Sequence, residues 1–89
     1  MSDASVWRTL ARLRRRRADY RNVFDSDSGR RVMADLFRFC RMGQPSFVAG
    51  DPHATAYQEG MRRVFLRIAG ILRMDEQRFA HLLKESDDE

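Results

Sequence analysis

The chain has 89 residues, 43% of them hydrophobic and 34% charged, with a net charge of +4. That length allows one domain at most, with a thin core that buries roughly 60–65% of the unfolded surface, and the composition excludes full disorder. No apolar run approaches the roughly 20 residues needed to cross a bilayer, so no membrane partner is expected.

The N-terminal stretch MSDASVWRTLARL carries acid near its start and no cleavage signal, so no secretory peptide is expected. Residues 1–22 predict a first helix, capped at Asp3 or Ser5. Val6, Leu10 and Leu13 recur at helical spacing, but Arg17 occupies the next apolar place. The pattern resumes at Tyr20, Val23 and Phe24. Residues 1–17 are therefore expected to form a basic helical arm, distinct from a core domain over residues 18–85. The arm holds the chain's only tryptophan, Trp7, together with Arg8, Arg12, Arg14, Arg15, Arg16 and Arg17. Trp7 has two readings: it packs on the domain, or it anchors a partner, as buried Trp and Arg often do at interfaces.

Consecutive arginines on a helix spread around its circumference and make a basic collar. Guanidinium forks bind phosphate and carboxylate alike. The collar is thus compatible with sequence-independent, salt-sensitive DNA contact, with docking on acidic protein, or with a solvated arm that has no specific target.

Residues 25–29, DSDSG, predict a break, because Asp, Ser and Gly favour turns and caps. Ser26 or Ser28 then caps a second helix through about Met42, with Val32, Met33, Leu36, Phe37, Phe39 and Cys40 on a broad apolar face. The single cysteine rules out an internal disulfide, fits a reducing compartment, and reads as a small buried hydrophobe. Gly43 is the expected helix stop, followed by Pro45. In the loop over residues 43–51, Phe47 and Val48 are expected to pin the chain to the core.

Asp51 as N-cap and Pro52 as first helical residue open the longest helix, which runs to about Met74. Tyr57, Met61, Val64, Phe65, Ile68 and Leu72 share one face. Gln58, Glu59, Arg62, Arg63 and Arg67 share the other. Glu59 precedes Arg63 by four residues, the favourable order for a helical ion pair. Gly60 suggests the close crossing of another helix, since glycine in a helix interior otherwise costs about 1 kcal/mol. Asp75 caps a short last helix with Phe79, Leu82 and Leu83 inward; residues 86–89 form an acidic tail, and the chain is expected to fray from Glu85 onward.

No strand pattern appears. The expected fold is all-α, a small three- to four-helix bundle with a basic N-terminal helical arm. His53, His81, Asp51 and Cys40 lack the close ligand pairs of metal sites, and neither a nucleophile elbow nor a phosphate-cradling glycine loop is present. No cofactor, metal site or catalytic residue is expected. A helix-turn-helix is excluded by a loop of about nine residues where that motif needs three or four.

The segments YRNVFDSDSGRRVMADLFRFC (residues 20–40) and PSFVAGDPHATAYQEGMRRVFLRI (residues 45–68) resemble the small tailed-phage domain family named after the nineteenth gene product of a Bordetella phage. The family pattern places VFD-x-x-x-G-x-x-V on Val23, Phe24, Asp25, Gly29 and Val32. Its A-[YF]-x-E-G-x-R helix start falls on Ala56, Tyr57, Glu59 and Gly60, with Arg62 or Arg63 as the arginine and Met61 standing first after the glycine. The resemblance implies a phage or prophage origin among virion-structure genes, in the virion or the bacterial host cytoplasm, with other phage structural proteins as partners. It implies a non-enzymatic structural or accessory role and no particular mechanism. An arginine-rich nucleic-acid binder and a phage-encoded modulator of a host protein are the alternatives. The residues do not give the oligomeric state. Asp25 is expected to clamp onto Arg62 or Arg63 across helices.

Overall fold

The computed structural model describes residues 3–87. Four helices follow one another: α1 (Asp3–Phe24), α2 (Asp27–Phe39), α3 (Pro52–Leu72) and α4 (Glu76–Asp87). Among the described residues there is no strand, and the fold is the expected all-α bundle. Asp88 and Glu89 of the expected acidic tail lie outside the described residues. The helical backbone itself continues past Glu85, where fraying was predicted, through Asp87.

The core is built around Phe65 of α3, which is fully buried with Met33 of α2. The Phe65 ring meets Phe37 of α2 edge-on at 5.5 Å and Phe79 of α4 at 6.1 Å. Such edge-to-face pairs add roughly 0.5–1.5 kcal/mol to the burial itself. Cys40, Ala69, Leu72 and Leu82 complete the buried cluster. Helix α1 packs on α2 and α3, and α2 packs on α4. From α1, only Tyr20 and Phe24 pack against the core, and no residue of that helix is buried.

The face of α3 differs from expectation. Phe65, Ala69 and Leu72 are buried and Met61 and Ile68 half-buried, but Tyr57 and Val64 are exposed. The buried stripe runs through Ala69, which the apolar spacing did not single out. On α4, Leu82 is buried and Phe79 half-buried, while Leu83 is exposed.

Caps follow the sequence at three helix starts. The Gly29 N–H donates to Ser26 Oγ at 3.0 Å, the Ala54 N–H to Asp51 Oδ1 at 2.9 Å, and the Arg78 N–H to Asp75 Oδ1 at 2.9 Å. Ser5, by contrast, lies inside α1 and does not open it. Helix ends depart further. Helix α2 stops at Phe39, three residues before Met42, and Gly43 is not its stop. Arg41 takes the left-handed conformation instead, with φ 55°. The Met42 N–H reaches Phe37 O at 3.0 Å and the Arg41 N–H reaches Arg38 O at 2.9 Å, a Schellman closure. Helix α3 ends the same way at Arg73, φ 54°, with Met74 N–H on Ala69 O at 3.0 Å. In both places arginine stands where glycine usually serves, at a backbone cost of roughly 1–2 kcal/mol.

Candidate functional site

The arginine run does not interrupt α1: the helix is continuous from Asp3 to Phe24. Val6, Leu10, Leu13, Arg17, Tyr20 and Phe24 alternate spacings of four and three, which makes one seam along the helix. Tyr20 and Phe24 dock the C-terminal end of that seam on the core. Val6, Leu10 and Leu13, at the other end, are 41%, 38% and 37% exposed and lie outside the core cluster. Trp7 is 65% exposed, so the reading in which it packs on the domain does not hold.

Arg17 stands at the border between the docked and undocked parts. Its Nε is shielded from solvent without a hydrogen-bond partner. Desolvation first, then the neighbouring Arg21 and Arg73 guanidiniums, lower its pKa from the usual arginine value. The proximity of Arg73, the C-cap of α3, places Arg17 by the carboxyl end of that helix. A cation there is favoured by the helix dipole, and α3 has no basic residue in its own last turn. Arg8, Arg12, Arg14, Arg15 and Arg16 are exposed, and among the described residues no carboxylate pairs with them.

The residues of the family pattern act in two other places. At the α1–α2 turn, Asp25 does form a cross-helix ion pair, but with neither expected arginine: its Oδ1 meets Arg78 Nη1 of α4 at 3.3 Å. Gly29 is buried, and a Cβ there would lie 2.0 Å from Val23 O and 2.5 Å from Phe24 Cα. The close backbone approach predicted for Gly60 is therefore found at Gly29. Gly60 has nothing within 4 Å of a notional Cβ, and no helix crosses it.

The second place is the loop over residues 41–51. Thr55, Glu59 and Arg62 are spaced by four and three on one face of α3. The Thr55 hydroxyl accepts from Val48 N–H at 2.8 Å, and the Ser46 hydroxyl donates to Glu59 Oε1. Arg62 Nη1 reaches Met42 O at 3.5 Å. The loop thus runs back antiparallel over α3 and is held by polar bonds. Phe47, at 72% exposure, and Val48 do not pin it to the core. Glu59 takes Ser46 in place of Arg63 as its partner. Asp51 and Pro52 start α3 as expected. Sequence reasoning missed Arg78, Ser46 and Thr55, which carry no signal until the helices are placed.

Cys40 is buried, and desolvation raises its pKa. His53 is exposed in the first turn of α3, and His81, also exposed, contacts Glu85 at 2.9 Å within α4. Among the described residues no group of three or more His, Cys, Asp or Glu side chains could hold a metal ion. Among the described residues no helix is long and apolar enough to cross a membrane.

Among curated proteins and solved structures, no match is found. The family model described as Bbp19-like phage protein matches residues 20–84. That span starts at Tyr20, the first α1 residue packed against the core, and holds α2, α3 and α4 through Lys84; residues 1–19 lie outside it. With more than two thirds of its residues inside the family model and the pattern glycine and aspartate at the α1–α2 turn, the chain belongs to the Bbp19-like phage proteins and is phage-associated.

Proposed function

We propose that this phage-associated protein is a small virion-associated structural or accessory component that works by protein contact and catalyses no reaction. The observation that carries the reading is the half of the α1 seam that lies outside the core cluster. Val6, Leu10 and Leu13, flanked by the exposed Trp7, form an apolar stripe on a helix whose other end is anchored in the core. A helix shorter than about 12–15 residues is marginal alone in water, but this one continues into a packed segment and so is held ready for a partner. Trp and Arg together are the residue types that dominate binding energy at protein interfaces. Partners in this reading are other phage structural proteins, in the virion or during assembly in the host cytoplasm.

Mass spectrometry of purified particles tests the proposal. The protein is expected at a fixed copy number, and Trp7→Ala with Leu10→Ser should remove it from particles while leaving the purified protein folded. Absence of the wild-type protein from particles would refute the virion assignment and favour a modulator of a host protein.

A second reading, DNA contact through the arm, is favoured by one observation: the arm arginines have no carboxylate partners among the described residues. DNA affinity would fall steeply between low and physiological salt, with a slope set by the number of phosphates neutralised. A packed protein interface would change far less over the same range.

A further inference from the structure

On the solvent side of α3 lies an open groove of about 660 Å³. Val64, Leu66 and Ile71 supply its apolar walls, and Gly60 and Gly70 stand one at either end. Val64 is 60% exposed, and Tyr57, 66% exposed, continues the stripe two turns earlier. Arg63 and Arg67 of α3 and Arg16 of α1 are the charged residues around it, and no acid lines it.

Three features of this groove lack a role inside the molecule. Tyr57 and Val64 are large apolar side chains left in water. Gly60 and Gly70 sit within a helix, where each costs about 1 kcal/mol relative to alanine, and neither is needed for an internal close approach, since nothing lies within 4 Å of a Cβ at either. The rim is of one sign. Apolar walls with Arg63 and Arg67 between them, and little side-chain bulk at two points, make a surface on which another helix backbone can come close.

We propose that this groove is a docking site for an acidic amphipathic helix of a partner protein, with apolar residues against Val64 and Ile71 and carboxylates against Arg16, Arg63 and Arg67. Charge complementarity chooses the occupant. A second copy of this chain docking groove to groove would bring six arginines together, and docking the arm of a second copy would add its arginine run to the same rim. Duplex DNA would satisfy the arginines but leave Val64, Leu66 and Ile71 without apolar partners. The site is distinct from the undocked seam of α1 and does not depend on it. Arg16 is the one residue that belongs to both the arm and the groove.

The test uses the full chain and a fluorescein-labelled amphipathic peptide of about 20 residues, the length that matches α3. It carries an Ala/Leu seam flanked by glutamates, and anisotropy is followed at physiological salt. The companion probes are the same peptide with lysines for glutamates and a short DNA duplex. The acidic peptide is expected to bind and the lysine peptide not to bind. Gly60→Leu, which fills the groove, and the pair Arg63→Gln with Arg67→Gln are each expected to weaken binding about tenfold or more. The pair Arg30→Gln with Arg31→Gln, an equal charge change on α2, should leave it within about twofold. Gly60→Leu adds helix propensity in open space, so its loss of binding is not loss of fold, and an unchanged or raised melting temperature checks this. No binding of the acidic peptide, equal weakening by the two arginine pairs, or DNA affinity that falls with Gly60→Leu would overturn the assignment. So would a wild-type dimer that Gly60→Leu converts to monomer, since the occupant would then be a second copy.

Discussion

Two glycines of the family pattern behave in opposite ways. At Gly29 the space for a Cβ is occupied by the backbone at Val23 and Phe24, which cannot move without opening the α1–α2 turn. Gly29→Ala is therefore expected to destabilise by about 3 kcal/mol, at the upper end of overpacking costs, measured by denaturant unfolding. At Gly60 the same change enters open space and gains helix propensity. Gly60→Ala should leave stability unchanged or raise it by up to about 1 kcal/mol. Cys40 gives a second residue-scale expectation. Burial raises its thiol pKa, so the folded chain keeps the proton at pH values where the unfolded chain has lost it. The contribution of this group is constant below the ordinary thiol pKa near 9.0 and becomes destabilising as pH rises through that value toward the folded one. Urea midpoints should fall over that range in the wild type and fall less in Cys40→Ala, once the cavity cost of the substitution is subtracted as a pH-independent offset.

At the scale of elements, the helices are joined by a few polar bonds laid over a small apolar cluster. The Asp25–Arg78 pair links the α1–α2 turn to α4, and both side chains are partly exposed. Exposed pairs contribute about 0.2–1 kcal/mol, so a double-mutant cycle with Asp25→Asn and Arg78→Gln should return a coupling in that range. A coupling of zero would mean that the pair only follows from the packing of Phe79 and Leu82. The loop over residues 41–51 is held differently, by Thr55, Glu59 and Arg62 in a row on α3. This arrangement explains why a loop with exposed Phe47 has a defined path: its own polar groups are satisfied by α3, and its apolar side chains are not needed for anchorage.

The whole molecule is elongated. Its principal extents are 50 × 33 × 19 Å and its radius of gyration is 16.2 Å. A compact domain of this length would have about 12 Å. The difference fits a helix of 22 residues, about 33 Å long, that contributes only Tyr20 and Phe24 to the core. Deleting residues 1–17 is therefore expected to leave a cooperatively unfolding domain with a melting temperature close to that of the full chain. Loss of cooperative unfolding in this truncation would show that Leu13 and the half-buried Arg17 belong to the core. The same deletion should abolish incorporation into particles if the α1 seam is the contact surface, and leave it unchanged if another face makes the contact.

Much of this was determined by local sequence alone. Capping oxygens at Ser26, Asp51 and Asp75, proline at Pro52 and the apolar spacing of each segment define four helices, because those signals act within one or two turns of the chain. The return of the apolar seam at Tyr20 likewise points to the two α1 residues, Tyr20 and Phe24, that pack against the core. Burial, partners and close approaches were decided only by tertiary structure. Tyr57, Val64 and Phe47 are apolar at suitable places yet exposed, because a small core around Phe65 and Met33 has no room for every apolar face that the sequence offers. Asp25 finds Arg78 and not Arg62 because a guanidinium pairs with whichever carboxylate the packing brings near, and sequence spacing says nothing across 53 residues. The sequence places Gly29 in a turn and Gly60 inside a helix, and assigns the close approach to Gly60. Only the fold of α1 back against the start of α2 makes one of them indispensable, since the need for a missing Cβ arises from a backbone that is distant in direction, though only five or six residues away in sequence.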